Sequence, residues 1–251
     1  MRHLCAYAVA FGIGSIPLLT APPAHAGTFS ELTEGVTQVV AGGWPGPVYP
    51  ENDNWVPIVA GDEDTSYPSL ILMARSYGAG RVIADSSLTG NDLTILDNLR
   101  FNQNVMAWLA GSEGGSVAYT TGHGEFNGTT DNIGTAAESV GLKISALPAP
   151  ITAESLEPYS SLIISIAWGE ISDTEIDVIE QWVLDGGGLL MKGLGWSWLA
   201  YHPEQTMEDF PMMHLGSQFG ARWLGGGILD PTDQFDGATI FHTFYPDVES
   251  P

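Results

Sequence analysis

An α/β domain with a largely parallel sheet wrapped by helices is the fold class this sequence predicts, and three observations carry it. Leu162-Ile163-Ile164-Ser165-Ile166-Ala167 is a nearly continuous apolar run, as a strand buried on both faces requires. Ser172-Asp173-Thr174-Glu175 is a capping box ahead of Ile176, Ile179 and Val183, which repeat at helical spacing. Gly186-Gly187-Gly188 stops that helix, and Leu189-Leu190-Met191 follows as a second strand.

Taken in order, residues 1–26 read as a secretory leader. Arg2 and His3 precede an apolar run from Leu4 to Leu19, and Ala24-His25-Ala26 is a small-x-small cleavage site. The run is short and broken by glycine for a membrane anchor. Residues 27–68 form a Gly/Pro-rich, irregular N-terminal extension, expected to pack across the domain through Trp44, Tyr49 and Trp55. Acidic loops fall at 51–54 and 62–64. The α/β domain spans 69–240. It opens with a hairpin: Leu70–Ala74, a tight turn at Tyr77-Gly78-Ala79-Gly80, and a return strand Arg81–Ala84. A helix over 94–110 has Leu96, Leu99, Val105, Met106, Trp108 and Leu109 on its apolar face and Gly111 at its end. Val117–Thr120 is a strand, Gly122-His123-Gly124-Glu125 the loop after it, 130–140 a helix and Leu142–Leu147 a strand. After the Leu189 strand, Gly193-Leu194-Gly195-Trp196-Ser197 makes a sharp turn at a strand end, where such folds place their chemistry. Residues 241–251 read as a tail without an element.

The chain carries 30 Asp and Glu against 7 Lys and Arg, a formal charge of −23. That balance excludes nucleic acid and anionic membrane surfaces as partners. No segment beyond the leader is apolar enough to span a bilayer, so a soluble protein, secreted or periplasmic after cleavage behind Ala26, is expected. The single cysteine, Cys5, lies in the leader, so no thiolate remains for catalysis, a disulfide or a metal. No cofactor and no metal are expected.

Two regions together resemble a known family. One runs from Trp55 to Gly111 and includes Tyr77–Ala84, Asp97-Asn98-Leu99-Arg100-Phe101-Asn102 and Trp108-Leu109-Ala110-Gly111. The other runs from Leu162 to Leu199 and holds the glycine-led strand and the turn at Gly193–Trp198. Both are similar to the class I glutamine-amidotransferase-like domain that precedes the metallopeptidase domain in mucin-degrading peptidases and occurs in the channel-associated-factor proteins. Phe219-Gly220-Ala221-Arg222, leading to Asp230-Pro231-Thr232, is similar to the closing segment of that domain. The resemblance covers most of residues 45–235 and implies a flavodoxin-like three-layer α/β/α sandwich. The parent pattern Gly-x-Cys-x-Gly falls on Gly193–Ser197 with Gly195 at the cysteine position. His242-Thr243-Phe244 is no His-x-Glu pair, and no His-Glu-x-x-His occurs. The resemblance therefore implies an amidotransferase framework without its thioester chemistry.

Several residues remain as candidates. His123 and Glu125 are either a cation-binding or acid/base pair, or incidental polar residues of a tight loop. Ser197 stands on the turn itself but has no base identifiable from sequence. Ser165, inside an apolar strand, reads as a buried serine bonded to backbone. Trp168, Trp196, Trp198 and Tyr201 either line one groove, with Glu170 beside it, as sugar-binding aromatics do, or fill core. Asp230, Asp233 and Asp236-Gly237 read as an acidic turn, since their spacing is not that of a calcium loop. Asn127-Gly128-Thr129 is a glycosylation sequon. His202 and His214 are too far apart for a helical metal pair. The leading expectation is a secreted, non-catalytic domain that binds a glycan or glycoprotein through Trp168, Glu170, Gly195, Trp196 and Trp198. The alternatives are a hydrolase built on His123, Glu125 and Ser197, and a structural or adaptor domain; oligomeric state stays open.

Overall fold

The computed structural model describes residues 28–42, 44–61, 70–87, 89–111, 115–126 and 130–243. The proposed leader, the loop at 62–64 and the sequon at Asn127 lie outside them. The N-terminal segment supplies β1 (Gln38–Val40), β2 (Val48–Pro50) and β3 (Val56–Ala60). The hairpin is β4 (Leu70–Tyr77) and β5 (Gly80–Asp85), followed by α1 (Asn98–Ala110) and β6 (Ser116–Thr121). Next come α2 (Thr130–Ser139), β7 (Lys143–Pro148), the short α3 (Ala153–Leu156) and β8 (Ser161–Ser165). Then follow α4 (Asp173–Leu184), β9 (Gly188–Lys192), α5 (Gly195–Tyr201) and α6 (Pro211–Gln218). The chain ends with β10 (Ala221–Trp223), β11 (Gln234–Phe235) and β12 (Ala238–Thr243).

The main sheet runs β1-β12-β3-β4-β5-β9-β8-β6-β7, with β11 paired to β12; β2 and β10 pair separately. From β5 to β7 every neighbour is parallel, and from β1 to β5 every neighbour is antiparallel. The expected parallel sheet is thus half of a mixed one. The antiparallel half joins the expected β4–β5 hairpin to β1 and β3 of the N-terminal extension and to β12, which crosses into the expected tail. Phe241 of the expected tail is buried, and β12 lies between β1 and β3. These strands are short, and β3 contains Pro57, so little in their local pattern marks them.

Alternation along the central strands divides the core into two faces. Met73, Val82, Ala84, Leu162, Ile164, Leu189 and Met191 pack with α4, α5 and α6. Leu72, Ala74, Ile83, Ile163 and Leu190 pack with α1, α2 and the N-terminal Leu32 and Val39. Helices therefore cover both faces, and each fully buried aliphatic side chain contributes about 1.5–3 kcal/mol.

The local signals explain most boundaries. Ser172 caps α4 as expected, accepting from Glu175 N while the Glu175 side chain takes Ser172 N. Gly188 can be nothing else, because a Cβ there would overlap the Leu109 carbonyl of α1. Helix α1 begins at Asn98, four residues later than the expected 94. Leu96 sits at φ 43, and the Asp97 carboxylate accepts from Thr37 and Gln38 of the first strand region. Leu96 and Leu99, assigned to the buried face, are exposed. So are Trp44 and Tyr49, while Trp55 is buried as expected.

Candidate functional site at the C-terminal strand ends

The five parallel strands end on one edge of the sheet, and the turns that leave β8 and β9 meet there. After β8 the chain passes through Ile166 at φ 51. A β-branched residue in the left-handed region carries a strain of about 1–3 kcal/mol and persists only where its surroundings impose it. Here Ile166 N donates to Lys192 O at 2.9 Å, and Ser165 Oγ donates to Phe126 O at 3.0 Å. The latter bears out the reading of Ser165 as a backbone-bonded serine.

Trp168 follows β8, and Trp196 stands in the first turn of α5 after β9. Trp196 Nε1 donates to Trp44 O at 2.6 Å, with the two rings 6.1 Å apart. Trp168 and Tyr201 rings lie 5.1 Å apart. With Phe126, Ile166, Leu194 and Ser197 these residues line a mainly apolar cavity of about 240 Å³. Trp168 is also a wall of a larger cavity of about 560 Å³, lined with Glu170, Asp173, Gln205, Asp209 and His214. Of the expected aromatics, Trp168, Trp196 and Tyr201 therefore face one groove. Trp44 and Phe126 join them from distant segments, and no local signal in the sequence marks either.

Two expected ligand contacts are placed differently. Trp198 is 3 % exposed, donates from Nε1 to Thr206 O and stacks on His202 and Phe210. It fills core and borders only the larger cavity. Gly195 is buried beneath the backbone of the segment after β10. A Cβ there would overlap the Leu224 carbonyl oxygen and lie 2.8 Å from Met207 Cε, inside the 3.0 Å that Cβ atoms keep. The position has room for no side chain.

His123 and Glu125 do not approach Ser197 as a catalytic set. His123 has a second partner in Glu175, seen in the sequence only as a capping residue. His123 Nδ1 lies 3.0 Å from Glu125 Oε1, and Nε2 lies 2.9 Å from Glu175 Oε1, on opposite sides of the ring. The hydrogen bond to Glu125 raises the His123 pKa, and the bond to Glu175 adds to it against burial. Burial would push Glu125 up, but hydrogen bonds from His123, Thr120 and backbone amides hold it at about 2. Burial likewise opposes Glu175, and bonds from Ile151 N, Ser172 and His123 hold it at about 2. An imidazolium clamped this way has no lone pair to offer as a base. Ser197 Oγ donates to Leu194 O instead, and Ser197 is buried.

A second buried pair supports the turn from below. Lys192 Nζ lies 2.8 Å from Asp85 Oδ2, joining the ends of β9 and β5. Asp85 O accepts from Gly193 N and Trp223 Nε1. Asp230 is an acidic turn, its Oδ1 accepting from Thr232 and Asp233 amides. Among the described residues no group of three or more His, Cys, Asp or Glu could hold a metal, and no helix is long and apolar enough to cross a membrane.

Residues 57–230 match the family model TCAF_N, described as the "TRPM8, N-terminal domain". The chain is 27% identical over 200 residues to TRPM8 channel-associated factor 2 of Bos taurus, covering 78% of this chain and 19% of that protein. It is 29% identical over 164 residues to TRPM8 channel-associated factor 3 of Rattus norvegicus, covering 62% and 15%. This chain thus spans at most about a fifth of these relatives. Its fold is similar to that of the IMPa metallopeptidase from Pseudomonas aeruginosa, with TM-score 0.55 at 12% identity, over 82% of this chain and 23% of that one. A structure of IMPa metallopeptidase in complex with T-antigen aligns with the same TM-score, at 14% identity.

Proposed function

The chain belongs to the TCAF_N family, and on that premise we propose that it is an exported, non-catalytic domain that holds a carbohydrate or glycoprotein in the aromatic groove. It is read as an amidotransferase-like, flavodoxin-like domain whose elbow has been turned from chemistry to binding. The observation that carries this is the pairing of two facts at one turn. The position of the absent nucleophile, Gly195, is sealed by the Leu224 carbonyl, while Trp44, Trp168, Trp196 and Tyr201 surround a cavity beside it. Apolar rings with a polar rim are what sugar rings stack on. The strained Ile166 in the cavity wall is a further support, since such outliers gather at ligand clamps. The solved relative described as a complex with T-antigen agrees with a glycan theme. A hydrolase built on His123, Glu125 and Ser197 loses its support, because each of these polar groups is committed elsewhere.

The names of the curated relatives favour a second reading, an adaptor domain that docks on a membrane-channel protein. One experiment separates the two. Binding of O-glycopeptides and of the same peptides without sugar is measured for wild type and for Trp44→Ala/Trp196→Ala. Sugar-dependent binding that the double variant loses supports the glycan reading; no sugar dependence in wild type rejects it. The export reading predicts a mature protein that starts at Gly27, read by intact mass after expression with the leader; an uncleaved chain rejects it.

A further inference from the structure

We propose that the groove selects by charge: it takes a neutral glycan carried on a polypeptide beside Lys or Arg, and it rejects sialylated or sulfated glycans. The inference rests on the groove reading above and adds the class of ligand.

Trp168 is shared by the two cavities, so a ligand stacked in the aromatic one extends directly toward the larger one. The larger cavity carries Glu170, Asp173 and Asp209. Glu170 and Asp173 are exposed at its rim, and Asp209 is held in its ionised form by hydrogen bonds from Thr206 N and Oγ1. No Lys or Arg lines either cavity among the described residues. Arg222, in the small neighbouring cavity that also holds His214, lies between Glu51 and Glu208, 3.8 Å from each. An anionic sugar that extends past Trp168 into the larger cavity therefore meets carboxylates and no Lys or Arg among the described residues. A guanidinium or ammonium on the flanking peptide meets the opposite sign, and the formal charge of −23 extends that preference into the approach.

The test is a panel of synthetic threonine-linked glycopeptides, titrated by fluorescence anisotropy. The four probes combine a neutral or a sialylated disaccharide with a basic or an acidic flank. Wild type is expected to bind the neutral, basic probe about tenfold tighter than its sialylated counterpart at low salt, and the gap should shrink as salt rises. The Glu170→Gln/Asp173→Asn variant, which changes only exposed groups, should lose the flank preference, so that basic and acidic probes of the same sugar bind it equally. Equal or tighter binding of sialylated probes, or an unchanged flank preference in that variant, overturns the proposal. A different result marks failure of the underlying reading: Trp44→Ala/Trp196→Ala then binds every probe as wild type does. Loss of all binding in the tryptophan variant, with no effect of charge in wild type, removes the charge inference alone.

Discussion

Replacing Gly195 with alanine sets two effects of opposite sign against each other. Gly195 opens α5, and Gly→Ala inside a helix ordinarily stabilises by up to ~1 kcal/mol. At this site the added methyl would overlap the Leu224 carbonyl oxygen and come within 2.9 Å of its carbon. Leu224 cannot simply retreat, because its N–H donates to Pro47 O at 3.1 Å beside the β2–β10 pair. Overpacking of this kind costs about 1–3 kcal/mol, which exceeds the helix gain. The net expectation is a loss of roughly 1–2 kcal/mol, or a Tm lower by roughly 2–8 °C for a domain of this size. Urea titration and thermal melts of wild type and Gly195→Ala measure it directly. Met207→Ala in the same background relieves only the Met207 Cε contact and should restore little. Gly195→Cys meets the same obstruction, so placing a thiol there should give a less stable protein with no glutamine hydrolysis. A neutral or stabilising Gly195→Ala would refute the sealed elbow and reopen that position to chemistry.

Two further outcomes follow from the buried charges. Lys192→Met leaves Asp85 buried without its partner and should cost about 3–5 kcal/mol in denaturant unfolding, whereas Asp85→Asn/Lys192→Met should recover part of that loss; additive single effects would show that the pair is not coupled. The His123 network predicts a stability window. The raised His123 pKa adds stability that is complete below about pH 6.5 and lost as pH rises through its folded value. Glu125 and Glu175, held at about 2, add stability that is present above roughly pH 4.5 and lost as pH falls toward 2. The stability difference between wild type and His123→Asn should therefore be largest near pH 5–6 and shrink toward pH 9. A difference that is flat or grows with pH would contradict a charged His123.

Legibility varied with the kind of physics involved. The hairpin, α4 with its capping box and the apolar β8 and β9 are legible because neighbouring residues produce them. Likewise β6, β7 and α2 fall within a residue or two of their expected limits. Strands β1, β3 and β12 are three to six residues long and gain their partners from opposite ends of the chain, so local periodicity carries no trace of them. Helix α1 lost its first expected turn because Asp97 bonds to Thr37, about sixty residues away in sequence. The same limit applies at the site. Trp168, Trp196 and Tyr201 are placed by adjacent strand ends and could be grouped in advance. Trp198, two residues after Trp196, points to the other side of its helix turn and became core.

The sequence by itself determined the parallel half of the sheet, its wrapping helices, the acid-rich composition, and a glycine in the turn after β9. Those depend on residue chemistry and on spacing within one element. Tertiary structure alone decided that the sheet continues as an antiparallel half, that Glu175 closes on His123, and that Leu224 roofs Gly195. It also brought Trp44 and Phe126 to Trp168 and Trp196. Each of these joins residues far apart in the chain, where steric exclusion and charge pairing act only once the backbone has closed on itself.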